Sequence, residues 1–599
     1  MKSNYLIIFI LIIFTNIVCS RWIPRKENDK NTNICDKLDE YINSLYSNVE
    51  YLNYSDIKAC FELTPYNKTK ATQVIEAVKE NFKGFYAFLD QAKEPNPAFA
   101  LRPIDLISEL DLVLKNNYSF EFQFIYDVTD LIQELRDGHT WLESKDYHKY
   151  SFDQGISMYS VIRKDGTQEI KVFNDVKDPC NVDCQVIDID DKPAIEVITE
   201  FARNHTFFSR DLSSRFNSAL ASLAFGNGDF YIAGQLFTFR NQLPKNPSIS
   251  YTLNCNGKFS KITREWQVPI KSVQYKSPYI NGASVGKATL IFDAFVARFY
   301  ILQDFGVVLI STESILTDAN ADLEYRFLSN VAIGFKLLAD RGIKKIVLDL
   351  SNNGGGQIFI AHYINKLLFP NMQNFPLDFK VNDLSIPLIE EVSKLKKGIG
   401  SIFHYKSFIS AETNCPFDSV NDFIGNNIYT RGGDQVKYTS KAFFNDTTLY
   451  TGTFKLLKPP KLPWTEKDIV ILTNGLCQSS CAIITQRLAE INVPTIAVGG
   501  FPNTRFSFAQ YAVGAAYSSD DLIVSLVLLK NLNSSLISKL SIPGNLTLYY
   551  TIAEAYSLKN QNEVMDYAFR PADYQLYYDE RSARDPSHLW IQAAKYFRK

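Results

Sequence analysis

DIVILTNGLCQSSC, residues 468–481, decides the fold. DIVILT is an apolar run of the kind that forms a buried strand, and the segment from Ser479 onward begins a helix. The junction places the Ser479 hydroxyl among helix N–H groups that have no intrahelical acceptor and can stabilise an oxyanion. An acyl-transfer nucleophile belongs at such a place, although a serine there also serves as an ordinary helix cap.

Outward from this unit the pattern repeats. ATLIFDAF and FGVVLIS read as strands, Leu328 to Asp340 as a helix and KKIVLDL as a buried strand. A glycine loop, Ser351 to Gly356, leads into a helix from about Gln357 to Leu368, and PTIAVGG follows the Ser479 helix as another strand. Strand–helix alternation implies a mainly parallel sheet covered by helices. Residues 35–142 show helical spacing, as in Ile57, Cys60 and Phe61, whereas residues 150–273 turn to short alternating strands broken by Gly, Asn and Pro. The stretch from Leu377 to Pro463 fits the alternation poorly and reads as an insertion or lid.

The 599-residue chain is 46% hydrophobic and 14% aromatic, enough for several packed domains. Its 63 basic and 65 acidic residues give a formal charge of −2, which argues against nucleic acid as the main partner. Residues 1–20 form a signal peptide, with Lys2 ahead of an apolar run from Tyr5 to Val18 that is shorter than the roughly 20 residues of a membrane span. A secreted chain without stable membrane insertion is expected, starting near Arg21. Loss of Cys19 leaves Cys35, Cys60, Cys180, Cys184, Cys255, Cys415, Cys477 and Cys481, an even set suited to an oxidising compartment. Sequons at Asn53, Asn67, Asn117, Asn204, Asn445, Asn533 and Asn545 are glycosylation candidates.

The chemistry centres on two strand-to-helix turns. In LDLSNNGGG (348–356) three glycines allow close backbone approach to an anion, but no Gly-Lys-Ser/Thr ending follows, so it is not a phosphate loop. In the other turn the Ser480 N–H would sit beside the attacked carbon. An alcohol needs a base, and no lysine lies between Ser479 and Lys530. Among His139, His148, His205, His362, His404 and His588, His139 stands out in ELRDGHTWL, held at a turn yet reachable. Cys477 and Cys481 bracket the nucleophile, and Cys180 and Cys184 share their spacing. Local disulfides are the preferred reading over a zinc site, so neither metal nor cofactor is expected.

The ordered set LRDGHT, LDLSNNGGG, LTNGLCQSSCAIITQRLAE and PTIAVGGFPN resembles the tail-specific, or C-terminal-processing, serine peptidase family. It is most similar to the branch that includes the chlamydial secreted protease-like factor and fungal extracellular proteins. The resemblance runs from DPCNVDCQVIDIDDKPA to FRPADYQLYY. It implies an α/β fold with a crotonase-like catalytic core over residues 285–599, a PDZ-like β-rich domain over 149–275 and a helical N-terminal domain over 21–148 carrying His139. The better-known branch pairs its serine with a downstream lysine, which GGFPNTRFSFAQ lacks here. The departure matches the branch using serine, histidine and glutamate. Ser479 is then the nucleophile, His139 the base, and the Gly355 and Ser480 N–H groups the oxyanion donors. Glu554 is the preferred orienting acid and Glu563 the alternative, with Asp566 still open. The implied activity is that of a secreted serine endopeptidase acting on proteins or peptides. A catalytically inactive binding relative and a serine esterase are the alternatives, although a G-x-S-x-G elbow is absent.

Overall fold

A computed structural model describes residues 33–43, 50–226, 228–270, 275–280, 282, 284–314, 321–395, 401–445, 460–510, 515–528 and 534–598. The signal peptide and Asn533 lie outside the described residues.

The sheet anticipated from the alternation is present, with seven strands. Thr289–Asp293, Ala297–Leu302 and Phe305–Ile310 pair antiparallel at one edge. From Phe305–Ile310 the order continues in parallel through Ile346–Asp349, Ile469–Thr473, Thr495–Val498 and Tyr574–Leu576. Every residue of the three central parallel strands is buried, as expected of a sheet covered on both faces. Covering helices include Ala321–Asp340, Ile358–Leu368 and Ser480–Glu490.

Among the described residues five α-helices, Ile34–Asn43, Tyr54–Phe61, Lys68–Phe85, Leu106–Val113 and Glu121–Gln133, precede His139. The Cys35–Cys60 disulfide ties the first two together. The chain then forms the strand Trp141–Ser144, which pairs antiparallel with Leu546–Thr551 from the other end of the sequence. This pairing carries the His139 turn from the early helices to the late sheet. Residues 156–265 form a six-stranded sheet in the order Lys258–Glu265, Ser248–Cys255, Gln185–Ile189, Gln168–Asp175 and Ile156–Ile162, with the short strand Lys192–Pro193 also paired to Gln185–Ile189. In the chain the helices Ala194–His205 and Leu212–Ala219 lie between Gln185–Ile189 and Ser248–Cys255. Asn217 fastens this region to the nucleophile side: its Nδ2 donates to the carbonyls of Asn474 (2.8 Å) and Val498 (2.9 Å), and its Oδ1 accepts from the Gly500 N–H.

Two expectations are corrected. Cys184 is bonded to Cys255 rather than to Cys180, which is free and exposed, as is Cys415. The cause is register: Gln185 faces Asn254 across neighbouring antiparallel strands, so Cys184 and Cys255 come to a Cα separation of 4.5 Å. The segment from Leu377 to Pro463 is also more regular than its composition suggests. Its strands Phe408–Ser410, Ala442–Phe444 and Leu377–Phe379 form a small sheet closed by Ala553–Ala555. Among the described residues no helix is long and apolar enough to cross a membrane. Of the described sequons, Asn53, Asn67, Asn117, Asn204 and Asn545 are exposed and Asn445 is half-buried.

Candidate active site

Ser479 closes the turn between the buried strand Ile469–Thr473 and the helix Ser480–Glu490. Its backbone is left-handed, φ 53° and ψ −124°. For a residue with a Cβ this costs about 1–3 kcal/mol and persists only where the surroundings hold it. The holding contacts are visible. The Gln478 N–H donates to the Asn353 carbonyl (2.9 Å), the Gln510 N–H to the Cys477 carbonyl (2.9 Å), and the Cys477–Cys481 disulfide spans the turn. Ser479 makes no side-chain cap bond, so the capping alternative is not what the hydroxyl does. Instead its Oγ lies 2.9 Å from Nε2 of His139, 340 residues earlier in the chain.

Because the turn is closed covalently, reduction is expected to loosen it. Both sulfurs are fully buried, so thiol treatment must be long or mildly denaturing. With both cysteines alkylated, turnover should fall about tenfold to 100-fold, the scale of a 1 Å misplacement. Unchanged turnover after complete alkylation, verified by mass, would contradict this.

His139 is 8% exposed and sits in the turn that precedes Trp141–Ser144. Asp137 builds that turn. Its Oδ1 accepts the His139 N–H (3.0 Å), while its Oδ2 accepts from the hydroxyls of Thr140 (2.9 Å), Thr551 (2.9 Å) and Tyr86 (3.2 Å). Burial lowers the imidazole to about 4, and the nearby Asp137 charge pulls in the other direction. The ring is therefore neutral across the physiological range, in the form that can accept a proton.

The glycine loop rests directly on the nucleophile turn. Gly355 has φ +95°, and a Cβ there would come within 2.6 Å of the Gln478 carbonyl oxygen and 2.7 Å of the Ser479 Cβ. Only glycine permits both the conformation and the approach. Its N–H donates to Asn353 Oδ1 (2.9 Å), and its carbonyl accepts from Thr312 Oγ1 (2.6 Å) and the Glu313 N–H (3.1 Å). Ser480, fully buried, opens the helix with an N–H that has no intrahelical acceptor.

Each of the three C-terminal acids has its own partners or charged neighbours. Glu554 is fully buried in the small sheet opposite Asp378. Its carboxylate accepts from Arg431 Nη2 (2.7 Å) and Nε (3.1 Å), Tyr438 (2.8 Å), Tyr556 (2.5 Å) and Gln91. Glu563 pairs with Arg570. Asp566 is buried and raised to about 8 by desolvation, with Arg210 opposing and the charges of Asp137 and Glu554 adding to the rise. The acid whose charge reaches the His139 ring is Asp137. Neither Asp137 nor Asn353 stands out in the sequence: the one lies in the turn before His139 and the other just before the glycines. Among the described residues no group of three or more His, Cys, Asp or Glu is arranged to hold a metal ion.

Comparisons with known proteins converge on one family. No protein-family model matches the chain. A peptidase S41 family protein of Aspergillus flavus, ustP, is 24% identical over 229 residues, covering 35% of this chain. The match spans 46% of that relative's length, so the chain spans about half of it. A peptidase S41 family protein of Diaporthe leptostromiformis, phomP1', is 21% identical over 479 residues, covering 68% of this chain and 70% of its own. Among solved structures, mature CPAF complexed with lactacystin superposes with a TM-score of 0.55 at 12% identity, over 88% of this chain and 98% of its own. Mature CPAF alone gives 0.55 at 13% identity, over 88% and 96%. The overall mixed α/β fold is therefore shared with CPAF.

Proposed function

Taking the chain as a relative of the S41, tail-specific serine peptidases, we propose that it is a secreted endopeptidase that cleaves proteins or peptides through an acyl-enzyme on Ser479. The observation that carries this reading is the 2.9 Å contact between His139 Nε2 and Ser479 Oγ. His139 Nε2 takes the hydroxyl proton as Ser479 attacks the peptide carbonyl. The oxyanion forms against the Ser480 N–H and the Gly355 N–H, the latter forked between substrate and Asn353 Oδ1. His139 then protonates the leaving amine, and water repeats the sequence on the ester. Asp137 orients the base by fixing its backbone. Glu554, expected in that role from the resemblance, is assigned to the buried network around Arg431.

The domain reading kept here is the crotonase-like core over 285–599, the PDZ-like domain over 149–275 and the helical domain over 21–148. The six-stranded sheet with its helix Ala194–His205 supports the second, and the run of helices before His139 supports the third. Three disulfides and five exposed sequons support passage through an oxidising, glycosylating route.

Hydrolysis of casein, abolished in Ser479→Ala, is the expected result. Turnover of a simple aryl ester with intact casein would favour the esterase, and inertness to both would favour a binding protein. The pH profile follows from the buried imidazole. Its ordinary value is about 6.5, and the folded value is about 4. The base is therefore neutral down to about pH 4, and the acid limb of kcat/KM should fall there. An acid limb near 6.5 would show that the ring is solvated during turnover.

A further inference from the structure

Behind the oxyanion donors the chain buries a carboxyl group that the mechanism above does not use. Glu313 follows the strand Phe305–Ile310 and is 0% exposed. Its Oε1 accepts from Asn353 Nδ2 (2.8 Å), and its Oε2 accepts from Ser480 Oγ (3.0 Å). Its own N–H donates to the Gly355 carbonyl (3.1 Å), and its carbonyl accepts from the Gln357 N–H (2.9 Å). One residue thus grips the glycine loop on both sides of Gly355 and reaches the residue beside the nucleophile.

We propose that Glu313 is a positioning residue, its carboxyl clamping the glycine loop to Ser480 so that the Gly355 and Ser480 N–H groups converge on one point beside Ser479. The inference rests on the peptidase reading. A purely structural filler would not need a charge-bearing group, because a buried carboxyl is costly unless its bonds matter. Both partners are neutral: an amide from the loop and a hydroxyl from the helix, neither of which titrates. Within its own segment Thr312 Oγ1 accepts from the Ser314 N–H (3.1 Å) and donates to the Gly355 carbonyl (2.6 Å).

Desolvation raises the Glu313 carboxyl to about 7. Protonated, it keeps both contacts, donating its O–H to Ser480 Oγ while the other oxygen accepts from Asn353. Ionised, it keeps the contacts but sets a negative charge behind the forming oxyanion. Turnover should therefore be full between the His139 acid limb and about pH 7 and decline above it.

The test measures kcat and KM from pH 5 to 9 on one peptide substrate for the wild type, Glu313→Gln, Glu313→Ala and, in parallel, Ser479→Ala. Glu313→Gln keeps the shape and both bonds without a titrating proton, so its kcat at pH 6 should stay within about threefold of wild type and not decline above pH 7. Glu313→Ala should lose about 100-fold in kcat with KM nearly unchanged, the scale of a displaced oxyanion donor. If Glu313→Ala does not fold, the profile of Glu313→Gln decides alone. A Glu313→Gln profile superimposed on the wild type, or wild-type kcat in Glu313→Ala, overturns the proposal. Should Ser479→Ala be inactive in that case, only the role of Glu313 fails. Should Ser479→Ala be fully active, the peptidase reading itself fails.

Discussion

Replacing Ser479 with alanine is expected to lower kcat/KM for peptide hydrolysis by at least about 10⁴-fold, the scale of nucleophile removal in serine hydrolases. Alanine meets the same left-handed backbone requirement as serine, so the substitution removes the attacking oxygen without adding strain at φ 53°. Thermal unfolding should stay within a degree or two of the parent. His139→Ala should cost a comparable factor, and the double variant little more than either single one, because groups acting as one unit are not additive. Multiplying losses in the double variant would mean that the two side chains do not cooperate, whatever their 2.9 Å separation.

The second large effect is expected at Gly355. Alanine there would place a methyl group 2.6 Å from the Gln478 carbonyl oxygen, 2.7 Å from the Ser479 Cβ and 3.0 Å from the Ser480 nitrogen. All three atoms belong to the nucleophile turn, so relief of the clash must move either the loop or the serine. A loss of about 10²- to 10³-fold in kcat is expected, as for removal of an oxyanion donor. Gly166→Ala is the control for backbone strain alone, since Gly166 has a similar φ of +87° with nothing within 4 Å of the new methyl group. It should cost some stability and no activity. Equal activity in the two variants would show that the Gly355 approach to Ser479 is unimportant.

Much of this architecture was legible because its signals are local. DIVILT, KKIVLDL and PTIAVGG are apolar runs of strand length followed by turns, and each became a buried parallel strand. Ser479 was legible for the same reason: a strand ending and a helix beginning define its surroundings without reference to distant residues. His139 needed one further inference, since nothing local says that a turn at residue 139 meets one at 479. The pairing of Trp141–Ser144 with Leu546–Thr551 brings them together.

What escaped the sequence depends on register or on lone residues. The Cys184–Cys255 bond joins strands 71 residues apart, and the local spacing of Cys180 and Cys184 pointed the wrong way. The segment after Leu377 seemed irregular because the strand that closes its sheet, Ala553–Ala555, lies far along the chain. The apolar flanks of Glu554 mark a buried position, but its partners Arg431, Tyr438 and Tyr556 are set by the folded sheet. Glu313 carries no motif, and only the folded loop shows what its carboxyl touches.

The central claim is that His139 activates Ser479, and covalent labelling by a fluorophosphonate tests it most directly. The wild type should take up one equivalent, with mass mapping placing the adduct on Ser479, and His139→Ala should label at least about 100-fold more slowly. Labelling of His139→Ala at the wild-type rate, or an adduct on any other serine, would contradict the account.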